Sequence, residues 1–317
     1  MDTDNQSEKK SIIAPVGKNP LDWIFILRPV LHPPVWTILI LGFYQSPVRP
    51  VDSFRIIWLI LISSGLAGWA YIVNQISDIE SDRRNNKLFF LPSGLISIRA
   101  ASILAGSLTA ISLSAAFFIN ISVGLVSSAL IILGYLYSGK PFYGKNHPVW
   151  GTLLNGFGHG SLVFMLGFSG SGGYFGDAFP LSIPYLFAVI AVFIGTSLPD
   201  TRGDALSGKR TPGVVLGVRF STAVMALSLM IGLLLSLIFQ DIPMLIVCNL
   251  CMPFYLYAAI RPKVKNAVFA VRLSVLLLSL AACFIFPWYL LILAFLFVTA
   301  RLYHKKRFGI DYPSLSL

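Results

Sequence analysis

Two groups of acidic residues in this sequence have a spacing that suits metal-assisted phosphate chemistry. In the first group, Asn74, Asp78 and Asp82 lie four positions apart along the chain. Residues four apart share one face of a helix, so this group predicts a polar stripe about two turns long. Like charges at that spacing repel, and carboxylates beside a membrane are costly unless a cation pairs with them. The stripe therefore predicts that a positive group lies on it.

The second acidic group consists of Asp200 and Asp204, which also follow an apolar run and are themselves followed by Lys209 and Arg210. A diphosphate carries several negative charges, so carboxylates bind it only through a bridging cation. Oxygen ligands of this kind are those that Mg²⁺ prefers, and bound Mg²⁺ acts as a Lewis acid on a leaving diphosphate. The two acidic groups together predict a shared site for Mg²⁺ and a polyanionic ligand.

The elements that position these residues are long apolar runs. The chain of 317 residues is 56% hydrophobic and 12% charged, with a mean hydropathy of +0.78, which excludes a soluble domain. Runs of near-spanning length lie near residues 23–44, 54–77, 99–118, 121–138, 150–169, 183–198, 220–239, 242–260, 267–286 and 288–302. The sequence therefore predicts an all-α polytopic membrane protein with nine or ten transmembrane helices.

Basic residues are concentrated in alternate loops, which predicts the orientation of the protein in the membrane. They cluster in loops 78–98, 139–149, 199–219 and 261–266. By the positive-inside rule these loops, and both acidic groups, face the cytoplasm. The excess of 24 Lys and Arg over 13 Asp and Glu then reflects topology and an anionic substrate or lipid surface. Nucleic acid is not an expected partner.

The same patterns divide the chain into three parts. We expect residues 1–20 to form a polar cytoplasmic N-terminal segment without a cleavable signal peptide, and residues 21–303 to form a single transmembrane helical domain. Residues 304–317 are expected to form a basic C-terminal tail.

Several short motifs follow one another in an order that is specific to a known family. They are Asn74-xxx-Asp78-xxx-Asp82-Arg83, Pro92-Ser-Gly94, Tyr137-Ser138 with Lys140-Pro141, Asn155, Asp200-xxx-Asp204, Gly208-Lys-Arg-Thr211 and an early Arg28-Pro29 pair. In this order they resemble the UbiA superfamily of intramembrane prenyltransferases over about residues 21–300. One acidic motif alone is a weak signal, whereas two at this spacing are a strong one.

The resemblance implies an all-helical barrel whose central cavity opens laterally to lipid. In such enzymes Mg²⁺ held by the two acidic motifs binds an isoprenyl diphosphate. Ionisation of that donor gives an allylic cation, which a lipophilic acceptor captures, often through an electron-rich aromatic or quinone-precursor ring. We therefore expect Mg²⁺, an isoprenyl diphosphate donor, a lipophilic acceptor and membrane lipids as partners.

The resemblance also implies roles for individual residues. The expected metal ligands are Asn74, Asp78 and Asp82 in one cluster and Asp200 and Asp204 in the other. The expected catalytic residues are Asp78, Asp82, Asp200, Asp204 and Tyr137. The expected substrate-binding residues are Asn74, Arg28, Ser138, Lys140, Asn155, Lys209 and Arg210. Phe164, Phe168 and Trp69 are expected to shelter the isoprenyl tail. For His159 we expect a packed, hydrogen-bonded side chain, with a cavity-lining position as the alternative.

The sequence departs from the family pattern at three places, which leaves the acceptor open. One is the loop Pro141-Phe-Tyr-Gly-Lys145, which lacks the basic residue that often follows the proline. The Arg-Pro pair that usually follows the first acidic motif is missing, and Lys87 is the basic residue that would replace its charge. The common Asn-Asp opening is Asn74-Gln75 here. Two alternatives therefore stay open beside a prenyltransferase: a terpene cyclase of the same fold that needs no acceptor, and a cation-coupled transporter that uses the carboxylates as ion sites.

Overall fold

Helices build all the regular secondary structure of the described chain, as the run lengths predict. A computed structural model describes residues 17, 19–48, 52–84 and 89–313. Most of the polar N-terminal segment, Lys87 and residues 314–317 lie outside this part.

The helix bounds follow the apolar runs closely. The α-helices are α1 (Asp22–Phe25), α2 (Pro33–Gln45), α3 (Ser53–Arg84), α4 (Ile98–Ile119), α5 (Ile121–Ser138), α6 (Pro148–Asn155), α7 (Val163–Gly170), α8 (Phe175–Ser197), α9 (Thr201–Leu206), α10 (Pro212–Ile238), α11 (Ile242–Ile260), α12 (Val264–Ile285) and α13 (Trp288–Phe308). Two 3₁₀ turns, Pro29–Leu31 and Gly144–Asn146, and one π-helix, Gly156–Leu162, complete the regular structure of the described residues.

Seven of the described helices are long and apolar enough to cross a membrane. Asp22–Leu31 and Pro33–Gln45 form a pair bent by 59°, which raises the number to eight if the pair crosses as one span. The bend has a local cause, because Arg28 has a left-handed φ of 51° and Pro33 begins the second helix without an N–H to donate. The all-α membrane fold is thus confirmed, and the number of nine or ten spans remains a prediction.

Helices α2 and α7 lie unusually close to each other in the core. A Cβ atom added at Gly42 would collide with the carbonyl oxygen of Phe164, and one added at Gly167 would collide with that of Leu39. Small residues at a helix interface permit such close backbone approach inside a membrane. This contact fixes the composite helix that runs from Pro148 to Gly170, whose π-helical middle forms one wall of the cavity described below.

The first and last helices are joined by an ion pair and a ring stack. Arg307 Nη2 lies 2.8 Å from Asp22 Oδ2, and the Tyr303 hydroxyl donates a hydrogen bond of 2.5 Å to Asp22 Oδ1. The Phe25 and Tyr303 rings stack with their centroids 3.7 Å apart. Helix α13 therefore continues to Phe308 and packs against the start of the chain.

Candidate active site

The first acidic group lies on the last turns of α3, the 32-residue helix Ser53–Arg84. This confirms that the segment is helical, as the four-residue spacing predicts. Asn74, Asp78 and Asp82 are all partly buried, so they lie within the protein rather than on a fully solvated helix end. A rigid helix therefore presents one amide and two carboxylates to the same region.

A lysine lies directly on this stripe. Lys145 is buried, and its Nζ atom is 2.7 Å from Asn74 Oδ1, 2.6 Å from Ser77 Oγ and 2.9 Å from Asp78 Oδ1. The Lys145 and Asp78 side chains are only 6% and 14% exposed. The prediction that a positive group lies on the stripe is therefore confirmed, and this group is Lys145, which is not among the predicted site residues.

The loop between α5 and α6 turns Lys145 inward. Tyr143 has a left-handed φ of 47°, and the 3₁₀ turn Gly144–Asn146 follows it. The Tyr143 hydroxyl donates a 3.4 Å hydrogen bond to Asp78 Oδ1, and its ring lies 4.8 Å from Lys145 Nζ. This distance suits a cation–π contact. Tyr143 thus holds both members of the Lys145–Asp78 pair.

Burial and the neighbouring negative charge have opposite effects on the pKa of Lys145. Burial lowers the pKa of the Lys145 ammonium group below its usual value, and the carboxylate of Asp78 raises it in part. Burial and the nearby Asp78 carboxylate raise the pKa of Tyr143, so its hydroxyl keeps its proton and remains a donor.

The second acidic group lies on a short surface helix. Asp200 is exposed and immediately precedes α9, whereas Asp204 lies within α9 and is partly buried. Gly208 then reverses the chain with a φ of +71°, a conformation that favours glycine. This reversal brings Lys209 Nζ to 3.6 Å from Asp78 Oδ1. The loop of the second motif therefore reaches the first motif through a lysine.

Tyr137 and Ser138, at the end of α5, lie close to the first acidic group. The Ser138 hydroxyl donates a 3.2 Å hydrogen bond to Asn74 Oδ1. The Tyr137 hydroxyl interacts with the side chain of Asn155 and lies within electrostatic range of both Asp78 and Asp204. The structure therefore brings Tyr137, Ser138 and Asn155 close to one another and to residues of the acidic motifs.

A cavity of about 420 Å³ begins at this polar group and extends among the helices. Asn74, Tyr137, Ser138 and Asn155 line its polar end. Most of the remaining wall is apolar and is formed by Leu31, Pro34, Val35, Ile38, Leu66, Ala67, Ala70, Leu130, Leu133, Leu154, Val163, Val189, Val192 and Phe193. A ligand with a charged head and a hydrocarbon tail fits such a space.

The aromatic residues expected to shelter the tail lie elsewhere. Phe164 and Phe168 pack against each other in the core, and the Phe164 ring also contacts that of Tyr185. Trp69 is buried in a second hydrophobic cluster. The wall is therefore mainly aliphatic, because these large rings fill the spaces between helices.

Three other basic residues that were predicted to bind substrate lie away from the acidic stripe. Lys140 is exposed, and its ammonium group forms no ion pair within the described part of the chain; its carbonyl oxygen accepts a 2.9 Å hydrogen bond from Tyr135. Arg210 is also exposed. Arg28 is partly buried and lines the cavity from the bent α1–α2 pair. Among the lysines, the structure places Lys145 and Lys209 on the acidic stripe.

A family model matches the region that carries this site. The model of the UbiA prenyltransferase family matches residues 35–268, which is more than half of the chain. The chain belongs to the UbiA prenyltransferase family. The resemblance seen in the motifs is thereby confirmed, and so is the prediction that the protein belongs to a family of enzymes that transfer prenyl groups.

Two named proteins are similar in sequence to this UbiA protein. The bacteriochlorophyll synthase 34 kDa chain of Chloroflexus aurantiacus is 25% identical over 61% of this chain and 64% of its own length. The digeranylgeranylglyceryl phosphate synthase of Saccharolobus solfataricus is 28% identical over 62% of this chain and 69% of its own length. The match thus spans slightly less than two thirds of the bacteriochlorophyll synthase.

Solved structures share the fold of this UbiA protein. A UbiA homologue from Archaeoglobus fulgidus bound to DMAPP and Mg²⁺ superposes with a TM-score of 0.66 at 19% identity, covering 82% of this chain and 99% of the homologue. The apo structure of a UbiA homologue from Aeropyrum pernix K1 has a TM-score of 0.65 at 17% identity over 82% of this chain and 98% of the homologue. These matches confirm the fold.

The donor atoms of this UbiA site suit Mg²⁺ in chemistry, although they do not form a closed cage. Within the described residues, no three His, Cys, Asp or Glu side chains converge as a metal site. Mg²⁺ in proteins is commonly held by one or two carboxylates together with substrate phosphates and water. Asp78 and Asp82 on one motif, and Asp200 and Asp204 on the other, can supply ligands of that kind.

Proposed function

We propose that this protein transfers an isoprenyl chain from its diphosphate to a lipophilic acceptor, in a Mg²⁺-dependent reaction that releases pyrophosphate. The observation that carries the proposal is one cavity, whose polar end includes Asn74 of the first acidic motif while the rest of its wall is largely apolar. Two lysines lie on Asp78 of the same motif. A charged diphosphate and a hydrocarbon chain need these two environments side by side.

Lys145 and Lys209 are proposed to bind the diphosphate oxygens. Both ammonium groups lie on Asp78, at 2.9 Å and 3.6 Å from its Oδ1 atom. Lys209 is held at a carboxylate and can turn further N–H donors to a phosphate, since an ammonium group has three. The three N–H donors of Lys145 already meet Asn74, Ser77 and Asp78, so Lys145 would exchange one of these partners for a phosphate oxygen. Asn74 and Ser138 would complete the polar end through their hydrogen bond.

Asp78, Asp82, Asp200 and Asp204 are proposed to hold Mg²⁺ at this end, with Asn74 as a further ligand. When bound, Mg²⁺ supplies Lewis-acid neutralisation of the negative charge that develops on the departing diphosphate. The half-buried position of the first motif strengthens these electrostatic interactions, because fewer water molecules screen them.

The apolar part of the cavity is proposed to hold the isoprenyl tail and the acceptor. Excluding water there protects an allylic cation from hydrolysis. Tyr137, Ser138 and Asn155 lie at the junction between the polar end and the apolar wall, and we place the reacting carbon beside them. The cytoplasmic orientation of the polar end is part of the same proposal and rests on the distribution of basic residues.

The test is to incubate the purified protein in detergent with isoprenyl diphosphates of increasing length, and to measure pyrophosphate release with and without lipophilic acceptors. We expect release that requires Mg²⁺ and that acceptors stimulate. Pyrophosphate release with a cyclised product and no acceptor would instead show a cyclase of the same fold. Variants of the motif carboxylates, such as Asp78→Ala and Asp200→Ala, should lose this release. An Asp177→Asn variant, which changes an exposed carboxylate in the first turn of α8, is their control for the loss of a negative charge alone.

A further inference from the structure

A second, smaller cavity lies beside the main cavity, which is the cavity of about 420 Å³ described above. This side cavity has a volume of about 60 Å³ and is lined by residues of α2, α8, α10, α11 and α12. A volume of about 10–15 Å³ holds one water-sized sphere, so the side cavity has room for a short hydrocarbon segment but not for a whole ligand. Protein interiors leave few voids larger than a water molecule, so a void of this size calls for an explanation.

The two cavities share part of their walls. Pro34 and Ile38 of α2, together with Val189 and Val192 of α8, line both of them. The cavities are therefore neighbours that meet at these four apolar side chains. Ile38 has the largest of the four side chains and is only 4% exposed. It therefore contributes most to the partition between the main cavity and the side cavity.

The hydroxyl groups that line the side cavity have interactions within the protein. The Thr37 hydroxyl lies 3.3 Å from that of Ser279, and the Tyr255 hydroxyl lies 3.0 Å from that of Ser274. The Tyr185 hydroxyl lies near a carboxyl group in the turn between α10 and α11. Most of the remaining lining is apolar and includes Ala188, Leu229, Met244, Val247, Val275 and Leu278. A hydrocarbon segment therefore suits this space better than a polar group does.

The shared wall lies at a distance from the polar end where the diphosphate is proposed to bind. Helix α8 ends at Ser197, shortly before Asp200, and Thr196 lines the main cavity near this end. Val192 and Val189 precede Thr196 by four and seven residues, which correspond to about 6 and 10 Å along a regular helix. A chain that is bound at the diphosphate end therefore reaches the shared wall with its later carbons and not with its first one.

The π-helix forms another part of the main cavity wall and differs in polarity. His159 lines the main cavity there, and its buried Nδ1 atom has no hydrogen-bond partner among the described residues. The expectation of a hydrogen-bonded histidine is therefore wrong for this atom. The four residues of the shared wall are all apolar, so a hydrocarbon chain that packs on them covers no polar side chain.

We propose that the side cavity receives the far end of the donor's isoprenyl chain, and that Ile38 limits how far the chain enters. This inference rests on the proposed prenyltransferase function and concerns the length of its donor. A short chain ends within the main cavity, whereas a longer chain passes Ile38 and fills the side cavity. Ile38 and the residues beyond it therefore determine chain-length specificity, and they contact the chain without touching the reacting carbon.

The first experiment fills or enlarges the side cavity at Val275, which lines it but does not line the main cavity. The full-length protein in detergent is titrated, with Mg²⁺ present, with the non-hydrolysable thiolodiphosphate analogues of geranyl, farnesyl and geranylgeranyl diphosphate. Val275→Phe should raise the Kd of the longest analogue that wild type binds by about tenfold, the scale on which an apolar pocket discriminates chain size. The Kd of the geranyl analogue should stay within about twofold. Val275→Ala, which enlarges the side cavity, should not weaken the longest analogue.

The second experiment tests the partition at Ile38. Ile38→Ala joins the two cavities, so it should raise the affinity for the geranylgeranyl analogue relative to the geranyl analogue by about tenfold. Ile38→Phe should lower the same ratio. Ile40→Ala is the matched control, because Ile40 lies on the same helix, is fully buried and lines neither cavity. Ile40→Ala should lower the melting temperature without changing the ratio.

Two results would overturn the inference. One is the same dependence on chain length in wild type, Val275→Phe and Ile38→Ala. The other is an equal change of the affinity ratio in Ile38→Ala and Ile40→Ala, which would attribute the effect to looser packing of α2. Failure of wild type to bind any of the three analogues would instead contradict the proposed function itself.

Discussion

The two acidic motifs differ in how firmly the fold holds them. Asp78 lies on a 32-residue helix and is bound by Lys145, Tyr143 and Lys209, at distances between 2.9 and 3.6 Å. Asp200 precedes a helix of six residues and is exposed. One motif is thus built into the framework, and the other belongs to a surface loop that reaches the framework through Lys209. The difference predicts that substitutions in the first motif affect stability as well as activity, whereas substitutions in the second motif affect activity alone.

Removal of a carboxylate from either motif is expected to have the largest effect. Asp78→Ala and Asp200→Ala should each lower pyrophosphate release by about 10³-fold, the scale seen when a preorganised electrostatic group is removed from an active site. Only Asp78→Ala should also lower the melting temperature, because it leaves Lys145 and Tyr143 with one partner fewer at a cost of about 1–3 kcal/mol. Activity assays with thermal unfolding measurements check both. Equal melting temperatures for the two variants would contradict the comparison.

The two lysines of the α5–α6 loop provide a matched pair. Lys145→Ala should lower kcat/KM for the donor by about 10²-fold, because a buried ammonium group that can hydrogen-bond a phosphate is lost. Lys140→Ala should change it by less than about threefold, since an exposed charge contributes little. Steady-state kinetics with the same isoprenyl diphosphate distinguish the two. A larger loss in Lys140→Ala would show that the loop turns a different lysine toward the donor.

The pH dependence of donor binding tests the role of Lys145 at the first motif. Burial lowers the pKa of Lys145, so its ammonium group loses its proton at a lower pH than an ordinary exposed lysine. Binding of the diphosphate donor should therefore be fully present at neutral pH. It should weaken as the pH rises toward the pKa of an ordinary lysine, because Lys145 loses its proton below that pH. Lys145→Arg keeps its charge at these pH values and should remove the alkaline loss. A profile of kcat/KM that is identical in wild type and Lys145→Arg would contradict this assignment.

The smallest expected effect concerns the surface loop of the second motif. Gly208 and Gly309 have φ angles of +71° and +68°, and added Cβ atoms would meet nothing within 4 Å at either position. Substitution by Ala should cost each about 1 kcal/mol of backbone strain. Only Gly208→Ala should also raise the KM for the donor, by a few-fold, because Gly208 directs Lys209 toward Asp78. Comparable donor KM values for Gly208→Ala and Gly309→Ala would show that the chain reversal does not position Lys209.

The sequence predicted those parts of this site that depend on local spacing. The polar stripe of Asn74 and Asp78 follows from the four-residue period, and the spans follow from apolar run length. Lys145 was missed because its contact with Asn74 joins residues 71 apart and depends on the left-handed turn at Tyr143. Lys140 and Lys145 share one loop, and composition does not show which of them turns inward.

Dependence on contacts between distant residues also explains the other differences between the sequence predictions and the structure. The unsatisfied nitrogen of His159 depends on a π-helix that the pattern of apolar residues does not reveal. Phe164 was expected on the cavity wall because it is large and apolar, which suits a wall and a core equally well. Its place was decided by the close approach of Gly42 to its backbone, a contact between distant parts of the chain.

The junction of Asp22 with Arg307 has a consequence for biosynthesis. Arg28, which lines the cavity, follows Phe25 by three residues, and the Phe25 ring stacks on Tyr303 near the end of α13. During synthesis, Phe25 and Arg28 are made long before Tyr303 and Arg307. The region around Arg28 therefore cannot reach its final packing until α13 has been inserted, so the enzyme should become active only after that step.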